Sequence, residues 1–79
     1  MLEDVLDHLI RGIVDHPEDV QVTARQGRRG TTLRARVNPD DLGRVIGRGG
    51  RTATALRTVM TAVGGRDVLV DISDGSARR

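Results

Sequence analysis

Apolar residues recur at helical spacing over the first fifteen positions of the chain, with acidic and other polar residues between them. This period places the apolar side chains on one face of a helix and the charged side chains on the other. The pattern predicts an amphipathic helix over residues 2–15, which must end before Pro17. Its apolar face consists of Leu2, Val5, Leu6, Leu9, Ile10, Ile13 and Val14.

Two segments with alternating apolar and polar residues follow, over residues 20–25 and 32–37. Alternation is typical of β-strands that bury one face, and the glycine-bounded loop over residues 26–30 predicts an antiparallel hairpin. At its tip, Arg28 and Arg29 are placed to reach a phosphate, although a charged loop tip more often serves solubility alone. In the first strand Val20, Val22 and Ala24 alternate with Gln21, Thr23 and Arg25. In the second, Leu33, Ala35 and Val37 are placed inward and Arg34 and Arg36 outward.

The segment Asn38-Pro39-Asp40-Asp41 predicts the start of a helix. Asparagine caps helices, proline fits the first helical position, and aspartate suits the positive end of the helix dipole. We expect a short helix over residues 39–45 that buries Leu42 together with Val45 or Ile46.

A longer helix is predicted over about residues 51–63, ending at the pair Gly64-Gly65. Residues 66–72 then alternate as a last strand. The apolar stripe of the longer helix consists of Ala53, Leu56, Val59, Met60 and Val63.

The predicted order of elements is α-β-β-α-α-β. Because two helices join the second and third strands, those strands are expected to pair in parallel, with the first strand antiparallel beside the second. The fold class is therefore α+β, with a three-stranded mixed sheet and three helices on one face. We assign residues 1–73 to this single domain and residues 74–79 to a short flexible tail.

Glycine and arginine are concentrated between the two predicted helices, in Val45-Ile46-Gly47-Arg48-Gly49-Gly50-Arg51. Glycines permit positive φ angles and close backbone approach, and the N–H groups that open the next helix have no intrahelical partner. A phosphate suits such a place, and Arg48 and Arg51 add charge that does not titrate. We interpret the segment as a loop that holds a phosphodiester backbone. The alternative is a tight helix–helix turn needed only for geometry.

Charge is distributed unevenly along the chain, although the net charge is only +2. Residues 1–24 carry a net charge of −5, residues 25–66 carry +8, and residues 67–79 carry −1. The basic block surrounds the glycine loop, and a basic surface of this kind is typical of a nucleic-acid-binding protein.

The composition excludes several other classes of function. The chain has no cysteine and no aromatic residue, so disulfides, thiolate metal sites and base stacking on aromatic rings are excluded. His8 and His16 lie near no nucleophile, and Asp40 and Asp41 serve the helix start, so we expect neither an enzyme nor a cofactor or metal. No apolar run is long enough for a membrane span, and the acidic N-terminus does not resemble a signal peptide. We therefore expect a cytoplasmic protein.

Residues 45–56 resemble the VIGxxGxxxxxL signature of KH domains, and the order of elements is similar to the type II, prokaryotic arrangement. The resemblance covers about residues 2–72 and extends to the small stand-alone bacterial KH-domain RNA-binding proteins of the KhpA/YlqC type. It implies that residues 47–50 clamp the backbone of about four nucleotides of single-stranded RNA. The RNA-binding residues that it implies are Arg44, Val45, Ile46, Gly47, Arg48, Gly49, Gly50 and Arg51 at the loop, and Leu33, Ala35 and Val37 on the facing strand.

The resemblance also implies partners and a cellular role. Members of this family act as RNA chaperones or post-transcriptional regulators linked to cell elongation and division. They form homodimers and associate with a larger KH-containing protein. One departure is that Gly49 stands where other members carry a polar or basic residue, which removes one possible phosphate donor. The preference for RNA over single-stranded DNA follows from the resemblance alone. The alternative function is a protein-interaction or dimerisation module in which the glycine loop is purely structural.

Overall fold

The structure, a computed structural model, describes residues 1–75 and places three helices on one face of a three-stranded sheet. The order α-β-β-α-α-β and the α+β class are as predicted. Of the predicted tail, residues 74–79, the part from residue 76 onward lies outside the described residues. The helices are α1 (Leu2–Arg11), α2 (Pro39–Ile46) and α3 (Arg51–Gly64), and the strands are β1 (Gln21–Gly27), β2 (Gly30–Arg36) and β3 (Val68–Ser73). Single 3-10 turns cover Pro17–Asp19 and Arg48–Gly50.

The sheet has the order β1-β2-β3, so that β2 is the central strand. β1 pairs antiparallel with β2, and β2 pairs in parallel with β3, as the two-helix crossover requires. In this register Leu33 of β2 lies opposite Ala24 on one side and Val70 on the other. Both predicted pairings are confirmed.

The core is aliphatic throughout and lies between the sheet and the helices. Its central member, Leu33, has no exposed surface, and the same is true of Leu6 and Ile10 of α1 and Met60 of α3. Because the core contains no aromatic ring, each aliphatic side chain supplies a large share of the buried apolar surface that stabilises the fold. The buried set is Leu6, Ile10, Val20, Leu33, Ala35, Val37, Val45, Ala53, Leu56, Met60, Val68 and Val70.

The first helix is shorter than predicted, since it ends at Arg11 and not at residue 15. The amide N–H groups of Asp15 and His16 do not continue the helical hydrogen bonds. They donate instead to the carboxylate of Asp41, over 3.1 and 3.0 Å. A tertiary contact that spans 25 residues therefore decides where the segment after α1 turns, and Ile13 and Val14 lie half-buried in that turn.

Two predicted apolar faces are only partly buried. Ala24, an apolar position in the alternating pattern of the first strand, is exposed, because the helices do not cover that end of the edge strand β1. On α3, Val59 and Val63 are 41% and 55% exposed, because the helix packs along one line of contact and these residues lie beside it. The loop predicted at residues 26–30 is a tighter turn, with the strands paired as far as Gly27 and Gly30.

The predicted cap of α2 is present, because the Asn38 side-chain oxygen accepts a hydrogen bond of 2.8 Å from the amide of Asp40. We expect Asn38→Ala to lower the free energy of unfolding by about 1 kcal/mol, which is typical for the loss of a helix cap. Urea denaturation measures this change. Asn38→Ser keeps a capping oxygen and should recover most of the loss. An equal loss in both variants would mean that the hydrogen bond from Asn38 to Asp19, and not the cap, stabilises the fold.

Candidate nucleic-acid interface

The glycine loop forms one turn between α2 and α3. α2 ends at Ile46, Gly47 adopts a φ of 80°, and a 3-10 turn over Arg48–Gly50 leads directly into α3. Gly49 and Gly50 also have positive φ angles, of 63° and 77°, which side chains of L-amino acids rarely adopt. The amide of Gly50 donates to the carbonyl of Gly47 over 3.0 Å, which closes the turn.

Glycine is needed at different positions of the loop for different physical reasons. A Cβ atom on Gly47 would lie 2.7 Å from the backbone nitrogen of Thr52, so the loop passes too close to α3 for any side chain. A Cβ atom on Gly49 or Gly50 would meet nothing within 4 Å. Gly47 is therefore needed for internal packing, whereas the space beside Gly49 and Gly50 is open to a ligand.

This difference predicts different stabilities for two variants. Gly49→Ala should lower the free energy of unfolding by about 1 kcal/mol, which is the cost of a left-handed conformation alone. Gly47→Ala adds the contact with Thr52 and should cost about twice as much. Thermal unfolding compares the two, and equal losses would contradict the distinction between a packed and an open glycine.

The N-terminus of α3 opens at this loop without a side-chain cap. The first amides of a helix lack intrahelical acceptors and lie at the positive end of the helix dipole. The first turn contains no acidic residue, and Arg48 and Arg51 are both exposed beside it. The loop thus combines the N–H donors of a helix start with two exposed arginine side chains, and this combination suits a phosphate.

The other predicted loop residues occupy different environments. Val45 is fully buried and packs in the core, whereas Ile46 is half-buried next to the loop. The exposed Arg44 forms an ion pair with Asp15, 3.2 Å between Nη2 and Oδ2, which links α2 to the turn after α1.

The predicted facing strand is the central strand of the sheet. Leu33, Ala35 and Val37 are at most 2% exposed, with their side chains in the core beneath the helices. Their side chains therefore contribute to packing and offer no surface to a ligand in this structure. RNA contact by these three residues stays a prediction, and the strand that borders α3 at the edge of the sheet is β3.

Sequence reasoning missed Arg57, which lies on α3 and reaches this edge. Its Nε donates to the backbone carbonyl of Val70 over 3.4 Å. The carbonyls of Asp67 and Ser73 accept from the amides of Thr31 and Val37, so alternation along the strand turns the carbonyl and amide of Val70 toward the free edge of β3. The only sequence signal was a basic residue next to the buried position Leu56 of α3.

A buried carboxylate fixes α2, the helix that carries the loop. Asp41 is 1% exposed and accepts hydrogen bonds from the Asp15 and His16 amides and, over 3.0 Å, from His16 Nδ1. Burial alone would raise the pKa of Asp41, but these hydrogen bonds outweigh it and lower that pKa below its ordinary value. The same bond to Asp41 raises the pKa of His16. From the sequence, Asp41 is expected only to serve the start of α2, and no role is expected for His16.

Within residues 1–75, no group of three or more histidine, aspartate or glutamate side chains is arranged to hold a metal ion. No helix in the same range is long and apolar enough to cross a membrane.

Comparison with known proteins gives consistent matches over nearly the full chain. The family model "KhpA/KhpB, KH domain" matches residues 3–70. A Streptomyces coelicolor protein named "RNA-binding protein KhpA" is 65% identical over 74 residues, which cover 94% of each chain. Proteins of the same name from Mycobacterium tuberculosis and Aquifex aeolicus are 59% and 39% identical, covering 90% of this chain and 89% and 94% of their own. No solved structure gives a significant match.

Proposed function

The chain belongs to the KhpA/KhpB family of KH domains, and we propose that it binds single-stranded RNA by clamping the phosphate backbone at residues 47–50. The observation that carries this proposal is the open space beside Gly49, bordered by the uncapped N-terminus of α3 and by Arg48 and Arg51. The names of the relatives support RNA as the ligand.

Bases next to the clamped phosphates would lie along the channel between α3 and the free edge of β3. Ile46 offers an apolar surface there, and Arg57 spans the channel to Val70. The alternation that turns Val70 toward the free edge does the same for Ile72, so backbone groups of β3 are available to the edges of bases. No clamping of bases by aromatic rings is possible, because the chain has no aromatic residue.

This composition predicts weak binding with pronounced salt dependence. Stacking on aromatic rings, worth about 1–3 kcal/mol per base in other single-strand binders, is missing. With three to four phosphates contacted, the logarithm of the binding constant should fall with the logarithm of salt concentration with a slope of about −2 to −3. Fluorescence anisotropy of a labelled oligouridylate at several salt concentrations measures the slope. Tight binding that salt does not weaken would contradict a phosphate clamp.

We further propose a role as an RNA chaperone or post-transcriptional regulator linked to cell elongation and division, which places the activity in the cytoplasm. The proposal includes a homodimer and association with a larger KH-containing protein. Val59 and Val63, which lie one helical turn apart and partly exposed on α3, support a protein contact on this helix. The same pair favours the second candidate function, a protein-interaction or dimerisation module in which the glycine loop is structural.

Binding of single-stranded RNA by the native protein and by Arg48→Asp/Gly49→Asp tests the clamp and separates these two functions. Loss of binding with an unchanged assembly state supports RNA binding at the loop. A loop variant that binds RNA as the native protein does would leave the interaction module as the function. The same sequence as single-stranded DNA tests whether the 2′-hydroxyl contributes.

A further inference from the structure

We propose that the open face of the sheet, opposite the helices, is a second contact surface that holds phosphates of the same RNA strand beyond the nucleotides at the loop. The inference rests on the proposed function and extends it from a four-nucleotide clamp to a longer path. The occupant is single-stranded RNA, and the groups that hold it are arginines outside residues 44–51.

The register of the sheet fixes which side chains share this face. Leu33 and Ala35 of β2 point into the core, so Arg34 and Arg36 point away from the helices. Their neighbours across the sheet are uncharged except for one aspartate. Thr23 and Asp71 flank Arg34, Gln21 and Ser73 flank Arg36, and Arg25 lies opposite Thr32.

The charge of this face suits a polyanion. Arg25, Arg34 and Arg36 are exposed, and the hairpin that continues the face ends in Arg28 and Arg29. The acids near them are Asp71, Asp67 beside the hairpin, and Glu18, Asp19 and Asp74 around Arg36, so the face is most basic at Arg25, Arg34 and the hairpin.

The ion pair on this face is weak enough to be replaced by a phosphate. Arg34 and Asp71 are 3.7 Å apart between Nε and Oδ2, and their side chains are 65% and 58% exposed. Exposed pairs of this kind contribute little to stability, so Arg34 is available to a ligand.

The same face contains a shallow cavity of about 200 Å³. Its lining is polar apart from Ala35 and includes both central arginines, which gives a phosphate donors on more than one side. The lining residues are Gln21, Thr23, Arg34, Ala35, Arg36 and Ser73. A neighbouring cavity contains Arg36 together with the acids Glu18, Asp19 and Asp74, so Arg34 and Arg25 are the arginines of this face with the least acidic surroundings.

The topology brings this face within reach of an RNA strand held at the loop. α3 and β3 run in opposite directions, and they meet where Arg57 donates to Val70. At 1.5 Å per helical residue, the N-terminus of α3 lies about 9 Å from Arg57 along the helix axis. At about 3.3 Å per strand residue, Ser73 lies about 10 Å from Val70 along β3, in the same direction. The loop and the end of the sheet that carries Arg36 and Ser73 therefore lie at the same end of the molecule.

The test compares two lengths of RNA on matched variants of the full chain. Oligouridylates of five and twelve nucleotides are titrated into native protein, Arg25→Gln/Arg34→Gln and Arg25→Lys/Arg34→Lys, with two-dimensional NMR following the backbone amides. NMR detects weak binding to the short RNA and reports whether each variant keeps its fold. The lysine variant keeps both charges, so it controls for changes in packing.

We expect the glutamine variant to bind the five-nucleotide RNA as the native protein does and the twelve-nucleotide RNA about three- to tenfold more weakly, as for two exposed charge pairs. Its salt slope on the longer RNA should fall by about 1.4, at 0.7 per phosphate, and the lysine variant should keep the native slope. The amides of Arg34 and Asp71 should shift only with the longer RNA.

Several results would overturn the inference, and each has a separate meaning. Equal binding of the longer RNA by native and glutamine proteins shows that the sheet face is not used. Equal weakening on both lengths shows a general effect of charge. The native protein could also self-associate, with the association abolished both by salt and by the glutamine exchange. That result would mean that the face binds the acidic α1 of a second copy and not RNA. If native protein binds neither RNA, the proposed function itself fails.

Discussion

Arg48→Asp/Gly49→Asp should weaken binding of single-stranded RNA by about a hundredfold or more while the protein keeps its fold. Loss of the charge-assisted phosphate contact of Arg48, about 1.5–3 kcal/mol, corresponds to a factor of about 10 to 150, and repulsion from the two new carboxylates adds to it. The fold should survive because Arg48 is exposed and a Cβ atom on Gly49 meets nothing within 4 Å. Filter binding or anisotropy at low salt measures the loss, with circular dichroism and sedimentation as checks on fold and assembly.

A matched variant separates the loop from net charge. Gly12→Asp/Arg66→Asp makes the same two exchanges at exposed positions of α1's C-terminal end and the turn before β3. A Cβ atom on Gly12 would make only ordinary contacts, the nearest at 3.5 Å. This control should bind RNA with at most a small loss. If both variants lose binding equally, overall charge and not a phosphate clamp accounts for RNA affinity.

Asp41→Ala is expected to have the largest effect on stability of any single exchange of a charged side chain, because Asp41 is the buried charged residue of the described part of the chain. It leaves the amides of Asp15 and His16 without an acceptor, in a part of the structure where α2 and the turn after α1 are joined. Unsatisfied buried donors are costly, and in a domain of this size the melting temperature should fall by on the order of 10 °C. Asp41→Asn should not recover the loss, because its NH₂ group is a donor facing other donors. Recovery by Asn would show that the packing of the side chain matters more than its acceptors.

The same contact predicts how stability depends on pH. The raised pKa of His16 means that its contribution is complete below about pH 6.5 and is lost as pH rises through the folded-state pKa. The lowered pKa of Asp41 means that its contribution is present above about pH 3.9 and is lost as pH falls through its own folded-state pKa. Melting temperatures measured between about pH 3 and pH 8 should therefore be highest between about pH 4 and 6.5. His16→Gln should remove the decline on the alkaline side; an unchanged profile in that variant would contradict the assignment.

Local signals in the sequence predicted the elements to within a few residues, except at the end of α1. The cap Asn38, the proline after it and the glycines that bound α3 act over three or four residues, so their effects can be read without the rest of the chain. The end of α1 could not be read in this way. The carboxylate that ends the run of helical hydrogen bonds belongs to Asp41, far along the chain.

The candidate site divides in the same way. The loop at residues 47–50 was visible in the sequence because glycine and arginine are contiguous there. The surroundings of the predicted facing strand were less visible, because alternation places Leu33, Ala35 and Val37 on the inward face without showing how completely the helices cover them. Arg57 gained its place beside Val70 only through the packing of α3 on β3.

The sequence by itself determined the order of helices and strands, the parallel crossover and a loop suited to a phosphate, because each depends on periodicity or on neighbouring residues. Only the tertiary structure decided that Asp41 is buried among backbone donors, that Arg57 reaches Val70, and that the arginines of β1 and β2 share an open face. These features depend on which segments meet in space, and residues 15 and 41 or 57 and 70 become neighbours only when the sheet and the helices have packed.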